Sequence, residues 1–189
     1  MEPKPRRLSA AKRAWLRVRP VRIWALEQAR LYVGVKEHPA GSNRGPHIDR
    51  WERWANGLTG YPWCAAFLNG MFIESAGLVL PPPRRASVGY LEAWARSVGA
   101  VLPVGVRPAK GDLVCYRFDA DNWPDHIGIV DSVVAWHKGV GGTIRTIEGN
   151  TSAGNDANGG QVQVRVRSVS AARVRFIRVD RKKLRKTSV

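Results

Sequence analysis

The sequence lacks the features that mark membrane proteins, disulfide-rich secreted domains and zinc proteins. It has only two cysteines in 189 residues, too few for a disulfide framework. No CxxC pair and no close group of histidines and cysteines indicates zinc. No apolar run approaches the ~20 residues that span a bilayer. The sequence therefore predicts no transmembrane segment, no metal and no cofactor.

The N-terminal region also lacks the continuous apolar stretch of a signal peptide. Arginines separate Trp15 and Leu16 from the next apolar group at residues 24–26, so we expect no cleaved leader. On this basis the protein is made in the cytoplasm. If it acts outside the cell, the sequence does not show the export route.

Acidic residues are scarce. The chain has 15 Asp and Glu and 31 Lys and Arg, which gives a net charge of +16. The excess lies at the ends: residues 1–36 carry +8, residues 165–189 carry +9 and residues 37–164 carry −1. Basic blocks of this kind bind polyanions or stay solvated. Nucleic acid, an anionic membrane and an anionic wall polymer all remain open as partners. No specific nucleic-acid recognition is expected, since no helix-turn-helix, zinc-finger or RNP-like motif is visible.

Helical periodicity comes first along the chain and strand alternation follows. We expect helices over residues 10–18, 21–34, 48–56, 63–76 and 87–97. We expect strands near residues 112–118, 126–135, 143–148, 161–167 and 173–179. This order predicts an α+β fold with an antiparallel sheet. The predicted organisation is a basic arm over residues 1–20, one folded domain over residues 21–180 and a basic tail over residues 181–189.

A cysteine stands where a proline-bearing loop becomes a helix, in the segment Tyr-Pro-Trp-Cys-Ala-Ala-Phe at residues 61–67. Free N–H groups at a helix N-terminus favour a thiolate and offer donors to a developing oxyanion. Cys64 is therefore the candidate nucleophile. Cys115 lies in an alternating strand pattern and is expected to be a small buried hydrophobe.

A base and an orienting group follow Cys64 in chain order. His126 begins a predicted strand and is the candidate general base. Glu148 and Asn150 end the next strand, and their i, i+2 spacing predicts that both share the face from which one of them orients the imidazole. A lone Cys or His is usually structural. Together, the order Cys, His, Glu/Asn favours a papain-like thiol hydrolase.

Aromatic residues surround the candidate site in sequence. Trp63 and Trp123 flank Cys64 and His126, and with Tyr61 they are candidate substrate-binding residues. Trp51, Trp54 and Trp94 fit the apolar faces of helices and are expected in the core.

These segments resemble CHAP domains, which are cysteine amidases and peptidases within the wider group that includes NlpC/P60 peptidases. The resemblance is carried by residues 41–46, 61–67, 108–114, 125–130 and 146–150. It implies a papain-like α+β fold with N-terminal helices packed on an antiparallel sheet. It also implies cleavage of bacterial peptidoglycan, at the N-acetylmuramoyl-L-alanine amide or at a peptide bond of the stem or cross-bridge.

The resemblance also implies roles for individual residues. Cys64 is the nucleophile, His126 the base, Glu148 the orienting acid and Asn150 the fourth polar residue. Asn43 matches a recurrent position and is a candidate for shaping the substrate groove or capping the following helix. No clustered Asp-x-Asp-x-Asp-Gly run precedes the cysteine, so calcium is not expected. In place of a separate wall-binding module, the basic ends would either hold the enzyme on an anionic wall polymer or form a solvated surface.

Three functions remain open at this point. The first is a peptidoglycan hydrolase that acts on the cell wall, such as a phage lysin or a bacterial wall-remodelling enzyme. The second is a toxin with the same chemistry. The third is a non-catalytic basic module that binds nucleic acid or an anionic surface.

Overall fold

The computed structural model describes residues 19–81, 85–119, 122–152 and 158–187. These residues form four α-helices, which we label α1 (Val21–Leu31), α2 (Pro46–Asn56), α3 (Cys64–Ala76) and α4 (Val88–Ser97). They also form seven β-strands: β1 (Leu78–Val79), β2 (Leu113–Tyr116), β3 (His126–His137), β4 (Gly141–Thr151), β5 (Gln161–Ser170), β6 (Val174–Ile177) and β7 (Arg185–Lys186). None of these helices is long and apolar enough to cross a membrane.

Helix α3 is the centre of the helical layer. Its sequence is apolar around most of its circumference, and its first ten residues are all buried, as expected for a helix surrounded by other elements. Helices α1 and α2 pack on α3, and the sheet covers it through β3 and β4. Gly77 ends α3 in the left-handed conformation (φ 64°), which glycine adopts without steric cost.

Five strands form one antiparallel sheet in the order β5-β4-β3-β2-β6. Alternate residues of its strands belong to two different hydrophobic clusters, one on each face of the sheet. Ile127, Ile129 and Ile147 belong to the core shared with the helices. Tyr116 and Val130 belong to a second cluster. The sheet therefore buries apolar side chains on both faces, which fixes its register because a slip of one residue would exchange the faces.

The sequence predictions of fold class and main elements are confirmed. The structure is α+β, with the helices before the antiparallel sheet. Each of the five predicted strands corresponds to one strand of this sheet. The helix expected over residues 10–18 lies outside the described residues. The pairing of β1 with β7 was not predicted, because two-residue strands are too short to show a periodic pattern.

Gly70 of α3 leaves room for the Trp51 side chain of α2. A Cβ atom at this position would lie 2.3 Å from Cδ1 of Trp51, whose indole is fully buried. We expect Gly70→Ala to lower the free energy of unfolding by about 1–3 kcal/mol through overpacking, although alanine is the better helix former. Urea unfolding measures the change.

A double variant supplies the control for this prediction. Trp51→Ala removes the indole atoms Cδ1, Cγ and Nε1 that the new methyl group would meet, so Gly70→Ala should cost less in the Trp51→Ala background than in the wild type. Equal costs in the two backgrounds would show that this contact does not limit the packing.

Candidate active site

Cys64 is the first residue of α3, and it directly follows the loop of residues 57–63. Among the described residues, no side chain caps this helix end. The first intrahelical bond there is donated by Phe67 N–H to the Trp63 carbonyl, at 2.8 Å, so the N–H groups before Phe67 have no acceptor within the helix. Cys64 is a free thiol and is 4% exposed.

His126 begins β3 and pairs with Tyr116 of β2. Its imidazole is fully buried. The rings of Tyr116 and Phe118 lie roughly parallel to it, with centroids at 6.0 and 6.1 Å. The imidazole thus packs beside aromatic rings that separate it from solvent.

The two nitrogens of His126 face different partners. Nε2 lies 3.0 Å from Oε2 of Glu148 on β4. Nδ1 is buried and has no conventional hydrogen-bond partner among the described residues, so it is the nitrogen left for the Cys64 thiol, which is close enough to affect the titration of the ring. The structure thus places the imidazole between the thiol and the carboxylate.

The Glu148 carboxylate is fully buried and receives four other hydrogen bonds. Arg167 of β5 donates from Nε to Oε1 at 2.7 Å and from Nη2 to Oε2 at 2.5 Å. The hydroxyls of Tyr116 and Thr146 donate to Oε1 at 3.0 and 2.6 Å. Bidentate, charge-assisted bonds of this kind are the strongest that a carboxylate makes.

These contacts set the charges of the site. Burial by itself would raise the pKa of Glu148, but the hydrogen bonds from Arg167 and His126 outweigh it and lower the pKa to about 2. Burial would likewise lower the pKa of His126, but the Cys64 thiol and the Glu148 carboxylate raise it from 6.5 to about 9. At neutral pH the site therefore holds an ionised carboxylate next to an imidazolium.

Two glycines make room for the site. A Cβ at Gly128 would lie 2.7 Å from Cγ of Glu148, and a Cβ at Gly149 would lie 2.8 Å from Phe67 and Trp63. Gly128 thus leaves space for the Glu148 side chain across the strand pair. Gly149 lets β4 approach the first turn of α3. The first spacing accommodates the carboxylate within the sheet, and the second brings its strand against the cysteine helix.

Of the four predicted catalytic residues, the structure brings Cys64, His126 and Glu148 together. The alternation from which a shared face was predicted for Glu148 and Asn150 is interrupted, because the register of β4 shifts between Glu148 and Thr151 and Asn150 is left-handed (φ 57°). Oδ1 of Asn150 accepts a hydrogen bond from the Gly160 N–H at 3.4 Å. Its role as the fourth polar residue stays a prediction.

The prediction that Trp63 lines a substrate groove is wrong. Its side chain is fully buried, it packs beside Trp51 and Phe67, and its Nε1 donates to Glu37 at 2.9 Å. Because Trp63 immediately precedes α3, the burial of the helix start carries its ring into the core.

The other candidate substrate-binding residues lie nearer the surface. Tyr61 and Trp123, three residues before Cys64 and His126, are 54% and 57% exposed. Asn43 is a partly buried loop residue in the left-handed conformation (φ 53°). All three remain candidates for substrate contact.

Sequence reasoning missed Arg167, Tyr116 and Thr146. The pattern of β5 contained a signal, since Arg165 and Arg167 alternate with valines and an arginine within a strand needs an acidic partner or solvent. The partner depends on strand order and register, which one sequence did not provide. Within the described parts of the chain, no three His, Cys, Asp or Glu side chains cluster as a metal site.

Comparisons with known proteins agree with this arrangement at the level of the family. The family model of the CHAP domain matches residues 56–150, about half of the chain, and this range contains Cys64, His126, Glu148 and Asn150. A search of the curated proteins gives no match.

One solved structure, "The crystal structure of Ly7917", is similar to this chain with 16% identity and a TM-score of 0.44. The match covers 85% of this chain and 62% of that chain, so it spans less than two thirds of the solved protein.

The raised pKa of His126 predicts a measurable titration. We expect the imidazole to titrate at about 9 by NMR and to titrate at lower pH in Glu148→Gln, which removes the neighbouring negative charge. Because the folded pKa lies above the ordinary value of 6.5, protonated His126 stabilises the fold fully below pH 6.5. This stabilisation is lost as the pH rises through about 9. Titration at or below 6.5 in the wild type would contradict the described contacts.

Proposed function

The chain belongs to the CHAP domain family, and on that premise we propose that it is a cysteine amidase or peptidase that hydrolyses an amide bond of bacterial peptidoglycan. Membership of this family indicates a hydrolase of the amidase or peptidase type. The observation that supports the proposed cysteine chemistry is the position of His126, between the thiol that begins α3 and an ionised carboxylate.

The proposed reaction begins at the thiol. His126 holds the proton of Cys64, and the thiolate attacks the carbonyl carbon of the scissile amide. An imidazolium stabilises the adjacent thiolate, and Glu148 stabilises the imidazolium. The imidazole therefore both activates the nucleophile and stores the proton that the leaving group needs.

Attack converts the carbonyl oxygen into an oxyanion. The free N–H groups in the first turn of α3 are suited to donate to this oxyanion, because they belong to the same turn as Cys64, and the helix dipole also favours negative charge there. A single turn thus supplies both the nucleophile and the electrostatic stabilisation of the tetrahedral intermediate.

Collapse of the intermediate breaks the C–N bond. His126 donates its proton to the leaving amine, and the acyl group remains on Cys64 as a thioester. Water, deprotonated by the neutral imidazole, then attacks the thioester and releases a carboxylic acid. One amide and one water become one amine and one acid, with the enzyme regenerated.

The proposal covers two bonds, the N-acetylmuramoyl-L-alanine amide and a peptide bond of the stem or cross-bridge. Mass spectrometry of fragments released from purified walls separates them, because an amidase frees the amino group of L-alanine and an endopeptidase creates termini within the peptide. The setting that we propose is the cell wall, with lysis by a phage as one biological role.

The two cysteines give a matched test of the nucleophile. We expect Cys64→Ala to lower the rate of wall clearing by about 10³-fold or more. Cys115→Ala should keep activity within a few fold, because Cys115 is fully buried in β2 and has no part in the reaction. Turbidity of a wall suspension measures both rates. Wild-type rates in Cys64→Ala would contradict the proposal and favour a non-catalytic basic module.

Arg167 is proposed as a positioning residue, and a pH profile tests it. Arg167→Gln removes one of the two groups that lower the pKa of Glu148 against the effect of burial, so the carboxyl gains its proton at higher pH. We expect the acidic limb of kcat/KM to move upward by about one pH unit or more. Arg167→Lys should move it less, because it keeps a cation.

Arg145→Gln is the control for charge alone, since Arg145 pairs with Asp131 and does not contact Glu148 in the described contacts. It should leave the acidic limb in place. An unchanged profile in folded Arg167→Gln would show that Arg167 does not control the ionisation of Glu148.

A further inference from the structure

A groove separate from the candidate active site lies between helix α4 and the C-terminal segment, residues 181–186. Its volume is about 690 Å³, within the range of small-ligand sites. None of the residues proposed for catalysis lines it. The groove therefore needs an explanation other than the hydrolytic reaction.

One wall of the groove is a stripe along α4. Tyr90, Ala93, Trp94 and Ser97 line it, and their spacing of three and four residues places them on one helix face. Tyr90 is 40% exposed, and Trp94 is partly buried against the helical core. The sequence prediction of Trp94 as a core residue is thus met only in part, because its remaining surface faces the groove.

The opposite wall is basic. Lys182, Lys183 and Arg185 line it, and residues 181–186 contain five Lys or Arg and no Asp or Glu. Neither Lys182 nor Arg185 forms an ion pair with another residue that the structure describes. Within the described ranges, two cations that lack a carboxylate partner thus line the same groove as the aromatic stripe.

The basic wall is held in place at several points. Arg178 donates to both oxygens of the buried Asp112 at 2.9 and 2.7 Å, which anchors the chain just before this segment. Arg185 and Lys186 pair with β1. Nζ of Lys183 donates to the Gly99 carbonyl at 2.9 Å. The cations therefore project from an ordered segment, which lowers the entropic cost of binding.

The charge of the groove decides what can occupy it. A second copy of this chain carries +16, and the basic residues 1–18 carry a positive net charge, so both are repelled. An anionic ligand is complementary to the cations. Tyrosine and tryptophan faces provide flat apolar surfaces with a polar edge, to which the apolar faces of sugar rings bind.

We propose that this groove binds an anionic polymer attached to the bacterial wall, built from sugars and phosphodiesters. The cations contact phosphate and the aromatic stripe of α4 contacts sugar rings. This inference rests on the proposed function, because a wall hydrolase meets such polymers beside its substrate. Binding here would hold the enzyme at the wall while the active site acts on peptidoglycan.

Sedimentation with walls tests the proposal without hydrolysis. The full chain carrying Cys64→Ala is mixed with walls that bear glycosylated polyol-phosphate polymer, and with the same walls after hydrofluoric acid has removed the polymer. We expect binding to be about tenfold tighter to the intact walls. Adding Lys182→Glu and Arg185→Glu should reduce binding to the level of the stripped walls.

A matched pair controls for net charge. Lys110→Glu and Lys138→Glu change the net charge by the same amount as the groove pair, at exposed lysines outside the groove. We expect this control pair to keep most of the difference in binding between intact and stripped walls. Tyr90→Ala should weaken binding to the glycosylated polymer and leave binding to inorganic polyphosphate unchanged, since in the proposed complex the ring contacts the sugars of the ligand and not its phosphates.

Three results would overturn the proposal. The first is equal binding to intact and stripped walls. The second is equal loss in the groove pair and the control pair, which would indicate a general charge effect. The third is displacement of the wall polymer by a single-stranded oligonucleotide at a lower phosphate concentration than free wall polymer requires. If this displacement also depends on Lys182 and Arg185, the groove would be assigned to nucleic acid. Because binding is measured with Cys64→Ala protein, the binding result can be interpreted even if the wild type does not hydrolyse walls.

Discussion

The structure depends on one buried carboxylate. An ionised carboxylate without partners inside a protein costs several kcal/mol, yet Glu148 is fully buried and ionised. Its partners come from every strand around it: Tyr116 on β2, His126 on β3, Thr146 on β4 and Arg167 on β5. The network that satisfies the charge therefore also ties four of the five strands together. The same hydrogen bonds therefore contribute to the stability of the sheet and orient the imidazole.

The helix that carries Cys64 meets this network because small residues allow close contact. Gly149 brings β4 against the first turn of α3, and Gly70 brings α2 against its middle. The thiol thus belongs to a rigid, buried helix, whereas the candidate substrate contacts Tyr61 and Trp123 are largely exposed. This division suits a site in which the reacting groups are fixed and a polymeric substrate is held from outside.

Sequence reasoning identified the parts of the site that local patterns encode. Periodicity located the start of α3 and of β3, so the positions of Cys64 and His126 were predictable. Periodicity did not predict the side-chain positions that tertiary packing determines. Alternation placed Asn150 beside Glu148, but a bulge and a left-handed backbone interrupt the strand there. Trp63 is drawn into the core by the helix that follows it. Arg167 is 19 residues from Glu148, and only the β4–β5 register shows that they meet.

Alkylation of the two cysteines tests the central claim most directly, because Cys115 is an internal reference for Cys64 in the same chain. Burial raises the pKa of the Cys115 thiol well above its usual range, which makes it inert. Peptide mapping after timed exposure to iodoacetamide at pH 7 should show Cys64 modified about 100-fold faster or more. Glu148→Gln should slow the reaction of Cys64 and leave Cys115 unchanged. Equal, slow modification of both thiols, or no effect of Glu148→Gln, would contradict a Cys64 activated through His126 and the buried carboxylate.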